Sequence, residues 1–104
     1  MIVAFVTFRL PKPITLAEAT ATFQSTAPKY QGLAGLLRKN YWLSEDGTRA
    51  GGIYIWETRA DAERVFTEDW KKMVEAKYGS PPTVEYLHSP VMVDNRDGSI
   101  SVAA

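Results

Sequence analysis

Cysteine is absent from the 104 residues. That removes a disulfide framework, a thiolate metal site and a cysteine nucleophile together, and points to a reducing, cytoplasmic setting. Histidine occurs once, as His88. Metal binding would therefore fall to carboxylates, which lie mostly at solvent-facing positions of the second predicted helix, so no metal is expected. A phosphate-cradling glycine loop is missing as well. Gly51-Gly52 follows a hairpin and enters a strand, whereas a dinucleotide fingerprint leaves a strand and opens a helix. The pair reads instead as a close backbone approach or a bulge. Twelve Lys and Arg balance twelve Asp and Glu with no basic stripe, which argues against a nucleic-acid partner or an anionic membrane surface. No apolar run nears the roughly 20 residues of a membrane span. The opening Met1 to Phe8 is too short for a secretion signal and lacks its basic lead-in. A soluble protein is expected.

What is present fits one small domain. Ile2 to Leu10 is rich in β-branched and aromatic residues and stops at Pro11-Lys12-Pro13, the pattern of a strand. Thr15-Leu16-Ala17-Glu18 has the form of a capping box and opens a helix that runs to Pro28. Leu36 to Leu43 and Arg49 to Glu57 read as two strands around the Asp46-Gly47 turn. Thr58, with Asp61 three residues on, starts a second helix whose apolar stripe runs through Ala62, Phe66, Trp70, Met73 and Val74 to Tyr78. On its wet side Glu68 and Lys72 are spaced for a surface pair. A last strand is predicted from Thr83 to Val93, bent or interrupted at Pro90, with a loose polar tail after it. The domain is thus expected over 1–94 and the tail over 95–104. The order β-α-β-β-α-β predicts an α+β, ferredoxin-like fold: a four-stranded antiparallel sheet with two helices on one face.

The first strand places Ile2, Ala4, Val6 and Phe8 on one side and Val3, Phe5 and Thr7 on the other. Both faces look buried, yet two helices cover only one. A second copy of the chain, sheet against sheet, is the expected cover. On the second strand Arg38, Asn40 and Trp42 point one way, and Leu37, Lys39, Tyr41 and Leu43 the other. Buried Arg and Asn need partners, so Arg38 and Asn40 either line a wet pocket or are satisfied across a strand or a subunit seam. Tyr54 and Trp56 alternate with Ile53 and Ile55 and suit either a planar organic ligand or core packing. His88 is the side chain whose unperturbed pKa lies nearest neutrality, and Tyr86 shares its face.

The stretch Gly32 to Trp42, the acidic turn, and Ala50-Gly51-Gly52-Ile53-Tyr54-Ile55-Trp56-Glu57 resemble the central hairpin of the YdhR-type mono-oxygenases, within the dimeric α+β barrel superfamily. The resemblance implies a homodimer and a pocket for a small aromatic or hydrophobic ligand. It also implies cofactor-independent oxidation of a phenolic or conjugated metabolite that supplies its own electrons. On this reading Asn40 and Arg38 polarise the substrate oxygen or stabilise the developing anion, Tyr54 or His88 moves the proton, and Trp42 and Trp56 sandwich the ring. Tyr86, Phe66 and Trp70 complete the substrate wall. Two readings stay open beside it: a non-catalytic dimer that binds a small ligand or plays a stress-related role, and a lyase or isomerase that relies on His88.

Overall fold

The computed structural model describes residues 1–103. Strand β1 (Ile2–Arg9) leads to helix α1 (Leu16–Thr26) and a 3-10 turn (Ala27–Lys29), then to strands β2 (Leu36–Leu43) and β3 (Arg49–Trp56). Helices α2 (Arg59–Val65) and α3 (Glu68–Tyr78) follow, and then strands β4 (Thr83–His88), β5 (Val91–Asp94) and β6 (Ser99–Val102). The four long strands form one antiparallel sheet in the order β2-β3-β1-β4. The α+β fold expected from the sequence is the one observed.

The helix starts are set by side chains that satisfy otherwise unpaired backbone N–H groups. The Thr15 hydroxyl accepts from the Glu18 N–H, while the Glu18 carboxylate accepts from the Thr15 N–H in return. Thr58 accepts from the Asp61 N–H at the start of α2. The second helix departs from expectation by breaking in two. Phe66 leaves helical geometry at ψ 56°, and the Thr67 hydroxyl accepts from the Trp70 N–H, which opens a new helix in which Glu68 and Asp69 fill the first turn. The break keeps Ala62, Phe66, Trp70 and Val74 all buried against the sheet. The surface pair on α3 is Glu68 with Lys71 at 3.6 Å, one residue short of the expected Lys72.

The core lies between the sheet and the helices. Ala4, Val6 and Phe8 of β1 and Ala50, Tyr54 and Trp56 of β3 face Ala62, Phe66, Trp70 and Val74. Among the described residues no helix covers the other sheet face. There Phe5 pairs with Ile53, Val3 with Ile55 and with Leu87, and Trp42 stacks on Phe5 at 5.6 Å. Phe5, Ile53 and Leu87 are exposed.

One further expectation, the loose tail, is corrected. The last strand ends at His88, and Val91–Asp94 pairs instead with Ser99–Val102, so a hairpin stands where a loose tail was expected. Asp94 and Asp97 accept from the Arg96 and Ser99 N–H groups, and Gly98 takes the positive φ that the turn requires. The sheet irregularity lies in β2, between Leu36 and Arg38. At Gly51-Gly52 the pairing with β1 and β2 is regular, and the glycines serve a close approach: a Cβ on Gly51 would overlap the Val6 carbonyl.

Candidate functional site

A cleft opens between the β2 edge of the sheet and the helices. Its enclosed part measures about 60 Å³, and from there it opens to solvent. The bulge between Leu36 and Arg38 determines what enters it. With that extra residue, Leu36 lies beside Trp56, and Lys39 and Tyr41 pair with Tyr54 and Gly52 on the helix side. Gly52 makes room for them, since a Cβ there would sit 2.8 Å from the Tyr54 ring and 3.3 Å from Lys39 Cε.

Lys39 therefore sends its ammonium inward rather than to solvent. Its Nζ lies 3.4 Å from the Tyr30 ring centroid, 3.8 Å from that of Tyr41 and 4.5 Å from that of Tyr54. The cage is itself braced. Trp70 Nε1 donates to the Tyr30 hydroxyl at 3.1 Å, Tyr41 and Thr26 share a hydrogen bond at 2.7 Å, and Phe23 stacks on Tyr41 at 4.7 Å. Lys29 and Lys77 also line the cleft, and its lining holds no carboxylate. Tyr30, Lys39 and Tyr41 continue into a shallow depression along the β2 edge, rimmed by Arg38, which makes them the shared wall between cleft and surface.

Burial pushes Lys39 down to about 7, because an ammonium in this setting loses its water. The three ring faces act in the opposite sense, each attracting a cation by about 0.5–2 kcal/mol. Desolvation also pushes the phenols up: Tyr78 to about 12, and Tyr54 well above the ordinary tyrosine value. Near neutrality Tyr54 and Tyr78 stay protonated, and Lys39 is poised to gain or lose a proton. A lysine that is neutral when folded and charged when unfolded makes stability rise with pH between the two values. Urea unfolding free energies should climb from about pH 7 toward pH 10, with a slope of at most about 1.4 kcal/mol per pH unit. The climb should end as unfolded tyrosines ionise, which the folded chain resists. Lys39→Met should flatten it, and an unchanged slope would show that Lys39 is an ordinary, hydrated lysine.

The residues singled out from sequence divide between the two faces of the sheet. Tyr54 and Trp70 line the cleft. Trp56 and Phe66 lie behind its wall, packed edge to face at 5.7 Å. Arg38, Asn40 and Trp42 sit together on the opposite, open face, where Arg38 Nε donates to Asn40 Oδ1 at 3.1 Å. Tyr86 lies on the helix side of β4 beneath the Arg59 guanidinium, 4.2 Å away. His88 is exposed at the end of β4, opposite Ile2, and is not among the cleft residues. Sequence reasoning passed over Lys39, Tyr30, Tyr41 and Tyr78. The available signal was parity: it had put Lys39 on the same side as Tyr41 and Leu43, an amine on an otherwise apolar strand face.

No family model matches the chain, and no curated protein matches it. Solved structures do. A monooxygenase from the gene ActVA-Orf6 of Streptomyces coelicolor, solved in complex with Nanaomycin D, superposes with a TM-score of 0.63 at 19% identity, over 85% of this chain and 86% of that one. An antibiotic biosynthesis monooxygenase from Bordetella bronchiseptica gives 0.58 at 20% identity, over 85% of this chain and 96% of that one. The chain has their fold.

Proposed function

We propose that this chain is a mono-oxygenase that oxidises a small phenolic or otherwise conjugated aromatic in the cleft between sheet and helices, with molecular oxygen and no bound cofactor. The observation that carries the reading is the cleft itself: Tyr30, Tyr41, Tyr54 and Trp70 around one inward amine, with no carboxylate in the lining. Such a site suits a planar ring that becomes an anion. The fold shared with monooxygenases and the hairpin's resemblance to the YdhR-type branch support it. In this chemistry the ring hydroxyl loses its proton and the electron-rich ring carbon is oxidised by O2. One oxygen atom becomes the second quinone carbonyl, and the other leaves as water with the two hydrogens the ring has given up.

Oxygen consumption on adding a dihydroxynaphthalene or anthrone to metal-stripped protein tests the reading. Catalysed uptake is the expected result, and no uptake across the panel would refute it in favour of a ligand-binding protein. An Asn40→Ala, Trp42→Phe variant tells which face carries the chemistry. Uptake retained assigns it to the cleft; uptake lost with the fold intact assigns it to the Arg38–Asn40 pair on the open face.

The same reading includes a homodimer closed over that open face, where Val3, Phe5, Trp42, Ile53, Ile55 and Leu87 would be covered. Sedimentation should give the mass of two 11.6 kDa chains, and Ile53→Asp should give one. A monomeric parent protein in dilute solution would remove the dimer.

A further inference from the structure

We propose that Lys39 is the acid–base group of the cleft: its neutral amine takes the proton of an acidic aromatic hydroxyl bound against Tyr30, Tyr41 and Tyr54, and the ammonium so formed holds the phenolate. The proposal rests on the reading that an aromatic binds in this cleft. It names the residue that ionises the aromatic and narrows the ligand to one with an acidic hydroxyl.

Four observations converge on Lys39. First, its Nζ is flanked by three rings at 3.4–4.5 Å, so a planar ligand that stacks on those rings meets the amine. Second, among the described residues the amine has no counter-charge. Among the described residues the ion pairs involve Arg59, Arg64 and Lys71, not Lys39, and the titratable groups that share the cleft are Lys29, Lys77 and the tyrosines 30, 41, 54 and 78. A buried cation without an anion is costly, and a ligand that brings the anion relieves the cost. Third, the other cleft groups are poor bases. Burial raises Tyr41, Tyr54 and Tyr78, so these phenols stay protonated near neutrality, and His88 is not among the cleft residues. Desolvation leaves Lys39 poised near neutrality, where a general base is most effective. Fourth, Lys39 belongs to both the cleft and the β2-edge depression, so it stands where a ligand enters.

The step is a proton transfer alone. The hydroxyl O–H bond breaks, an N–H bond forms on Nζ, the electron pair stays on oxygen, and net charge is conserved as an ammonium–phenolate pair.

The probe is 4-nitrophenol, whose phenolate is coloured, titrated calorimetrically into the full-length protein at about pH 8 in two buffers of different ionisation heat. There the free probe is an anion and Lys39 is neutral, so binding should take up about one proton per site while the bound probe keeps its phenolate colour. Lys39→Arg, already charged, should bind the anion with no proton uptake. Lys39→Met should bind about tenfold or more weakly, also without uptake. The same proton count in Lys39→Met, a bound probe that loses its colour, or no binding to the parent protein would overturn the proposal. Phenolate capture with no oxygen uptake on any substrate would instead leave Lys39 standing and refute the mono-oxygenase.

Discussion

Gly51→Ala is expected to cost about 3 kcal/mol or more of unfolding free energy, a large part of the roughly 5–15 kcal/mol available to a domain of this size. The position lies in β3, between β1 and β2, where Thr7 and Trp42 are its neighbours in register. A methyl group there would overlap the Val6 carbonyl and press on the Trp42 ring. The Val6 carbonyl is backbone in the central strand β1 and cannot move aside without disturbing the pairing of two strands. Gly52→Ala makes the comparison informative. Its methyl would meet side chains only, the Tyr54 ring and the end of Lys39, of which the lysine can move aside. Gly52→Ala should therefore cost less stability and act on the cleft, displacing the amine and weakening phenol binding. Urea unfolding of both variants decides the matter: equal and small losses would mean that the strands can separate to admit the methyl.

The second large effect is expected at Trp56. It is fully buried, paired with Ile2 and Leu36 across the sheet and packed against the rings of Tyr54 and Phe66. Trp56→Ala should lower stability by about 3–5 kcal/mol, through lost burial and the cavity left behind. Trp56→Phe should cost well under half of that. The indole N–H is buried and finds no hydrogen-bond acceptor among the described residues, so removing it deletes an unsatisfied donor while an aromatic ring remains. If Phe proves as damaging as Ala, the indole nitrogen has a partner, and Trp56 belongs to a polar contact rather than to the core.

The order of elements along the chain and the capping residues Thr15 and Thr58 were legible in the sequence because each depends on local chemistry: period-two alternation, two prolines after β1, and a Thr three residues before a carboxylate. Parity also told correctly that Arg38, Asn40 and Trp42 share a face opposite Lys39 and Tyr41. It could not tell which face the helices cover. The bulge at Leu36 and Arg38 sets that, and nothing in the run Leu36-Leu37-Arg38 announces an extra residue. Thr67 was hidden because the apolar spacing from Ala62 to Val74 continues through the break between α2 and α3. The site residues were sought among groups that look reactive in isolation, above all His88. Lys39 becomes unusual only when three tyrosines, distant from one another in the chain, close around it.

The terminal hairpin has a consequence for kinetics. Its two strands pair Val91 with Val102 and Val93 with Ile100, and all four side chains are exposed. A two-stranded ribbon with an uncovered apolar face has little stability of its own. Its amides should thus open independently of the main sheet and exchange with deuterium orders of magnitude faster than those of β1 and β3. Any assembly that covers the hairpin slows that exchange selectively, so residues 91–102 act as a built-in clock for association that can be read without touching the cleft.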